Sequence, residues 1–282
     1  MQSIGEFDQL GETKRDEPGF PRVLKRWENL LPWVELTRNL AVRDIEIRYK
    51  HSLLGLYWAI INPLLTAAIF SFVFGVIFHA SSKPIPYVVF LITGLTFWNF
   101  FANGVMSAVP SVTGSSVLLA RVYFPRVVLP TAAILARLID FCFSLFVLVI
   151  FDLVYRIQVH WTALWIIPIL GCQVLFTLGI GYLVASVNVL YRDMNQLTGL
   201  VLMIWMWLSP VIYSIDSVPT KLQRTLLMNP MGAFIQAERD SLVMGHLTNQ
   251  PYLWLAVIWA GFAFIAGLSI FKRIEPLFAE VM

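Results

Sequence analysis

Uncharged, apolar runs long enough to cross a bilayer recur along the chain. Between Lys50 and Lys83 there is no Asp, Glu, Lys or Arg, and a second such gap separates Lys83 from Arg121. A helix needs about 20 apolar residues to cross about 30 Å of hydrocarbon. In lipid every backbone amide must bond inside its own segment, so runs of this length are expected to be helices. The pattern predicts six spans, at about Gly55–Phe78, Tyr87–Val109, Val127–Val154, Leu164–Leu190, Leu197–Tyr213 and Tyr252–Phe271. The expected fold class is an all-α polytopic membrane protein.

Between and before these runs the periodicity changes. Residues 1–19 are polar and expected to be a mobile N-terminus. In residues 20–54, Phe20, Val23, Leu24, Trp27, Leu30 and Leu31 recur at helical spacing, with Arg22, Lys25, Arg26 and Glu28 between them. That is the pattern of an interfacial amphipathic helix, or of a helix packed on a soluble partner. Pro32 is expected to end it, and a stretch with Arg43, Arg48 and Lys50 leads into the first span. Between spans two and three, Ser115, Ser116, Leu118, Leu119, Arg121, Tyr123, Phe124 and Arg126 predict a short amphipathic helix. It is either a docking element for a soluble partner or an ordinary cytoplasmic turn.

The connection from Ser214 to Pro251 carries two amphipathic pieces. Pro219 opens the first, with Leu222, Leu226 and Leu227 on one face, and Asn229-Pro230 breaks it. The second sets Phe234, Ile235, Leu242 and Val243 against Glu238, Arg239 and Asp240. Each is too short to span but suited to re-enter the outer leaflet. The break between them is expected to face protein or a cavity, because bare backbone is excluded from lipid. Such a pair can form an outer gate.

Composition agrees with this reading. Hydrophobic residues make up 58% and charged ones 13%, with mean hydropathy +0.74, against roughly 45–50% and about 25% in soluble domains. A water-facing globule and a disordered chain are both excluded. The net charge of +3 is spread without a dense basic tract, which argues against nucleic acid as a partner. With six spans, 14 of the 20 Lys and Arg fall on the side that holds both termini, which predicts cytoplasmic termini. The first 50 residues show no signal-peptide pattern. Cys142 and Cys172 both fall in spans and read as packing residues.

Candidate chemistry is sparse. The four histidines lie in different connections or span ends. No His-Glu-x-x-His, paired Cys-x-x-Cys, Gly-x-Ser-x-Gly or phosphate-loop pattern occurs. No catalytic residue, metal or cofactor is therefore expected on this chain, and ATP-driven work would need a separate ATPase. Arg137 and Asp140 stand i, i+3 inside a span, where each charge costs at least about 2.5–3.5 kcal/mol. They read as a packing pair or as the lining of a polar path. Aromatics gather at Tyr57 and Trp58, at Phe97, Trp98, Phe100 and Phe101, and at Trp205, Trp207 and Tyr213. They read as interfacial belt and packing residues, or as flat faces on which sugar rings stack while sliding.

A set of short motifs then adds a family resemblance. The motifs are Arg43-Asp44-Ile45 with Arg48-Tyr49, Gly55-Leu56-Tyr57-Trp58 with Asn62-Pro63, and Phe90-Leu91 with Gly94-Leu95. Further along come Trp98-Asn99-Phe100-Phe101, Tyr123-Phe124-Pro125-Arg126 with Leu129-Pro130, Tyr191-Arg192-Asp193, Ser209-Pro210-Val211-Ile212-Tyr213 and Asn229-Pro230. In this order the chain resembles the permease subunit of type-two ABC exporters of cell-surface polysaccharide, the O-antigen and teichoic-acid export family. The resemblance implies a homodimer in the bacterial inner membrane, served by two copies of an ABC ATPase that carries the ATP and Mg. Its fold would be six transmembrane helices plus an N-terminal interfacial helix, a cytoplasmic coupling helix at Ser115–Phe124 and two short outer re-entrant gate helices within Ser217–Gly245. The cargo would be an undecaprenyl-linked glycan, admitted near Arg43, Arg48 and Lys50, whose cations meet a pyrophosphate. Capsule polysaccharide, drugs and small lipids are the alternative cargoes.

Overall fold

The computed structural model describes residues 31–50, 57–77, 79, 85–121, 124–158, 160–247 and 250–278. Residues 37–282 form one compact unit, and of the other, Met1–Leu36, only the opening turns of a helix are described. Among the described residues every regular element is helical. The amphipathic helix expected over residues 20–30 lies outside them.

Helix α1 (Leu31–Tyr49) carries Pro32 in its first turn, where a missing N–H costs no intrahelical bond. Pro32 therefore opens a helix. α2 (Trp58–Phe70) runs on as wider π-helical turns over Ser71–Ile77. α3 (Tyr87–Ala108) starts after Pro86, and the six-residue α4 (Ser116–Arg121) follows a 3-10 turn at Thr113–Ser115. The third span was expected as one helix. It is observed as α5 (Val128–Leu135) and α6 (Arg137–Val154), divided at Ala136.

Helix α7 (Ile166–Leu190) is followed by α8 (Met194–Trp207), α9 (Thr220–Met228) and α10 (Pro230–Arg239), the last continued by a π-turn at Asp240–Met244. α11 (Gln250–Ile274) closes the bundle. Five stretches are long and apolar enough to cross a membrane: Trp58–Ile77, Tyr87–Ala108, Val128–Val154, Trp161–Leu190 and Gln250–Leu277. The run expected as span five is shorter as a helix than its hydropathy suggests. α8 has 14 residues, about 21 Å at the usual rise. Its continuation through Ser209-Pro210 is a series of turns, since proline has no N–H to extend the ladder.

Helix α3 is the hub. It packs against α2, α5, α6, α7, α8 and α10, and Val89, Leu91, Phe97, Phe101 and Val105 on it have no exposed surface. The tightest crossing is α7 on α11. A Cβ at Gly179 would stand 2.4 Å from the Ala263 carbonyl carbon, and one at Gly267 would stand 2.0 Å from the Gly179 oxygen. The two backbones touch because neither residue has a side chain, the usual device where lipid offers helices no hydrophobic drive to associate.

Candidate functional site

A cavity of about 360 Å³ with a largely polar lining lies where α1, α2, α3 and α6 meet. Each helix lines it with one face. Asn62 and Thr66 come from α2, Thr96, Asn99 and Asn103 from α3, and Arg137, Asp140 and Ser144 from α6. Those spacings of three, four and seven residues place each set on a single helical stripe. Trp58, Phe100 and Phe141 lie among them.

At the mouth, Asp140 gathers charge from two helices. Arg48 of α1 donates to its Oδ2 at 2.6 Å and Arg137 to the same oxygen at 3.3 Å, while the Tyr49 hydroxyl donates to Oδ1. Burial, with the Asp140 carboxylate adding to it, holds the Tyr49 phenol above its ordinary range, so it remains a donor. Arg137 Nε also donates to Ser107. The i, i+3 pair seen in the sequence is thus part of a five-residue cluster. Arg48 is held 92 positions from Asp140 in the chain, a link that no local pattern carries. Arg43 pairs with its neighbour Asp44 at the surface, and Lys50 is exposed.

The aromatic candidates separate into two groups. Phe97, Trp98, Phe100 and Phe101 are buried, with Phe97 and Phe100 packed on Phe141 and Phe101 on Phe176 and Trp205. Tyr57, Trp58 and Trp207 are exposed. Trp205 is half-buried, and Tyr213 donates its hydroxyl to the Trp207 carbonyl.

The two helices expected as an outer gate exist as α9 and α10, and the break between them is tethered. The Asn229 side chain caps α10 by accepting from the Met231 N–H, the capping role its residue type favours. It also accepts from the Trp205 indole at 2.8 Å and donates to the Leu208 carbonyl and the Ser209 hydroxyl. Pro219 precedes α9. Leu227 is buried, Leu226 half-buried and Leu222 exposed, while Phe234 of α10 is fully buried. Arg239, 1% exposed, ends α10. Its guanidinium donates to the Pro210, Val211 and Phe90 carbonyls and lies 3.6 Å over the Phe90 ring. A Cβ at Gly94 would meet that guanidinium at 2.1 Å. Glu238 beside it is fully buried, and neither carboxylate oxygen has a partner among the described residues. Burial pushes its carboxyl well above the usual carboxylate range, against the pull of Arg239.

The expected coupling segment is anchored at both ends. Ser115 lies in the 3-10 turn and Ser116 opens α4; Leu118 and Leu119 are half-buried, Leu119 against the cluster containing Val112, Phe271 and Phe278. Phe124 is buried. Arg126 is tied to the far end of the chain: its N–H donates to the Glu275 carboxylate, its guanidinium to the Glu275 carbonyl, and it lies over the Phe278 ring. Tyr123 is outside the described residues. Among the described residues no cluster of His, Cys, Asp and Glu could hold a metal ion.

Arg137 and Asp140 stand out in the sequence as charges inside a span, Asn62 and Asn99 only as members of the family motifs, and Thr66, Thr96, Asn103 and Ser144 not at all. Their signal was present as polar residues at helical spacing inside otherwise apolar runs.

Five helices long and apolar enough to cross a membrane, packed around a polar internal face, define a multi-pass membrane protein. The ABC-2 type transporter family profile matches residues 35–243, and the chain belongs to that family. An O-antigen export system permease protein, RfbA, of Klebsiella pneumoniae is 31% identical over 261 residues, covering 92% of this chain and 99% of the relative. The RfbA of Myxococcus xanthus is 27% identical over 245 residues, 86% of this chain and 93% of its own. The polysialic acid transport protein KpsM of Escherichia coli is 23% identical over 247 residues, 84% of this chain and 92% of its own.

Proposed function

We propose that this chain is the membrane-spanning permease of an ATP-driven exporter that moves lipid-linked polysaccharide of the O-antigen kind out of the cytoplasm. The observation that carries the reading is end-to-end similarity to O-antigen export permeases, one of which is covered over 99% of its length. Capsule polysaccharide is the second reading, favoured by the 23% identity to the capsule polysaccharide export inner-membrane protein CtrC of Neisseria meningitidis. Teichoic acid falls in the same chemical class.

In this reading two copies of the chain form the channel in the bacterial inner membrane, and two ATPase subunits below them bind ATP and Mg. α8 with the turns up to Tyr213 completes a sixth span, which puts both termini in the cytoplasm. α4 is the coupling element: its half-buried leucines and the buried Phe124 grip the bundle, so displacement by an ATPase passes into α5 and, through Arg126 and Glu275, to α11. α2 and α8 of each copy separate at the dimer axis, exposing Tyr57 and Trp207 to the moving glycan. α9 and α10 open as the outer gate. An undecaprenyl-linked pyrophosphate is admitted beside Arg43, Arg48 and Lys50, where cations at the cytoplasmic leaflet attract anionic headgroups.

Reconstitution tests the reading. The chain and its ATPase in proteoliposomes should hydrolyse ATP faster with lipid-linked glycan than with drug-like amphiphiles. Equal stimulation by both would reject it. Phe124→Ala should retain the dimer and lose most ATP-driven export, and undiminished export in that variant would remove the coupling role from this segment.

A further inference from the structure

The cavity between α1, α2, α3 and α6 has features that neither helix packing nor a sliding channel requires. Three helices that are otherwise apolar each turn a polar stripe toward it. Polar side chains inside a membrane bundle are costly. A ligand that bonds to the stripes explains why they are kept.

The donor set indicates what that ligand is. Asn62, Asn99 and Asn103 offer both donors and acceptors, as a ring of hydroxyls demands. Trp58 and Phe100 supply flat apolar faces of the kind that pack on a ring's C–H surface. At the mouth, Arg48 and Arg137 share the single carboxylate of Asp140, leaving one positive charge in excess. A planar guanidinium is suited to phosphate oxygens. The volume of about 360 Å³ lies at the low end of the roughly 300–1,000 Å³ of small-molecule sites, enough for one ring and too small for a polymer.

We infer that this cavity is a binding site for a single sugar ring carrying a phosphate or pyrophosphate, seated with the ring among the asparagines and the anion at Arg48 and Arg137. The inference rests on the polysaccharide-export reading and deepens it. The site holds the phosphate-linked end of the glycan before the chain is threaded, and so selects cargo inside one protomer, apart from the dimer axis. The same chemistry is present in a free sugar phosphate of the cytoplasm, and the experiment separates the two sources.

The purified full chain in lipid nanodiscs is titrated with three probes: a short-chain polyprenyl-pyrophosphoryl-N-acetylglucosamine, the same polyprenyl pyrophosphate without sugar, and N-acetylglucosamine 1-phosphate. The sugar-bearing lipid should bind, and the sugarless lipid should bind about tenfold or more weakly, as loss of several hydrogen bonds in a dry site requires. Asn99→Ala and Asn103→Ala should each weaken the sugar-bearing probe by about tenfold, while Ser269→Ala on α11 leaves it unchanged. Should Asn99→Ala fail to fold, Asn62→Gln at the rim gives the same comparison. Tight binding of the soluble sugar phosphate supports the site and assigns it to the cytoplasmic source. Equal affinity for the two lipids, or binding insensitive to all three cavity substitutions, overturns the proposal. Glycan export by the wild-type chain, measured in parallel, keeps the two readings apart: export without cavity binding rejects the site alone, whereas absence of export rejects the broader reading.

Discussion

At the scale of single residues, three ionisable side chains, Arg239 and Glu238 buried and Asp140 half-buried, act on separate parts of the molecule. Arg239 satisfies the carbonyls left free where the chain turns at Pro210 and Val211, and adds the Phe90 carbonyl of α3. Removing it leaves those acceptors unpaired in a dry interior, so Arg239→Met should destabilise the protein by about 3–5 kcal/mol. The measurement is the thermal midpoint in detergent, and an unchanged midpoint would contradict the role. Glu238 next to it acts the other way. Its folded-state pKa is raised by burial, so its contribution is full below the ordinary glutamate value of about 4.3 and is lost as pH rises through the raised one. Glu238→Gln should therefore flatten the fall of the thermal midpoint between acid and neutral pH. Asp140 is the third such residue. Asp140→Asn should release α1 from α6 and speed amide exchange over residues 37–49, with export falling in step.

At the scale of elements, the hairpin α9–α10 depends on one side chain at its break. Asn229 caps α10 and bonds the Trp205 indole, the Leu208 carbonyl and the Ser209 hydroxyl at once. Asn229→Ala should cost about 1–3 kcal/mol and raise proteolysis between residues 219 and 230 without changing helix content. Protection equal to the wild type would mean that the Asn229 contacts do not hold the hairpin.

Legibility in the sequence follows the same division. The long spans could be read because hydropathy is a property of whole runs. The hairpin could be read because Pro219 and Asn229-Pro230 are local stops. The shortness of α8 could not, since Ser209 to Tyr213 is as apolar as the helix before it and only Pro210 marks the end. Nor could the inward facing of Phe97 and Phe101, because an aromatic in a span carries no label for interior or lipid. Likewise the Arg48–Asp140 bond and the α7–α11 contact at Gly179 and Gly267 join distant parts of the chain and leave no periodic trace.

At the scale of the whole molecule, the exposed apolar surface is uneven. On α2 and its π-helical continuation, Leu65, Ile69, Phe72 and Val76 are exposed, and on α8 so are Leu197, Leu200, Val201 and Ile204. On α11 Trp254, Ile258, Phe262 and Ile265 are also exposed. Lipid can cover all of these, but a dimer across α2 and α8 should remove the first two sets. In a background with Cys142→Ser and Cys172→Ala, Leu200→Cys should give cross-linked dimers in membranes and Phe262→Cys should not. The reverse pattern would move the symmetry axis to α11.

The position of Arg239 also orders the birth of the protein. A charged ten-residue helix cannot partition into lipid on its own hydrophobicity. The carbonyls that receive its guanidinium belong to segments made earlier by the ribosome, Phe90 first and then Pro210 and Val211. α3 and the turns that follow α8 must therefore be in place before the hairpin settles. Assembly in the membrane then has an order, with the hairpin docking onto carbonyls already presented to it.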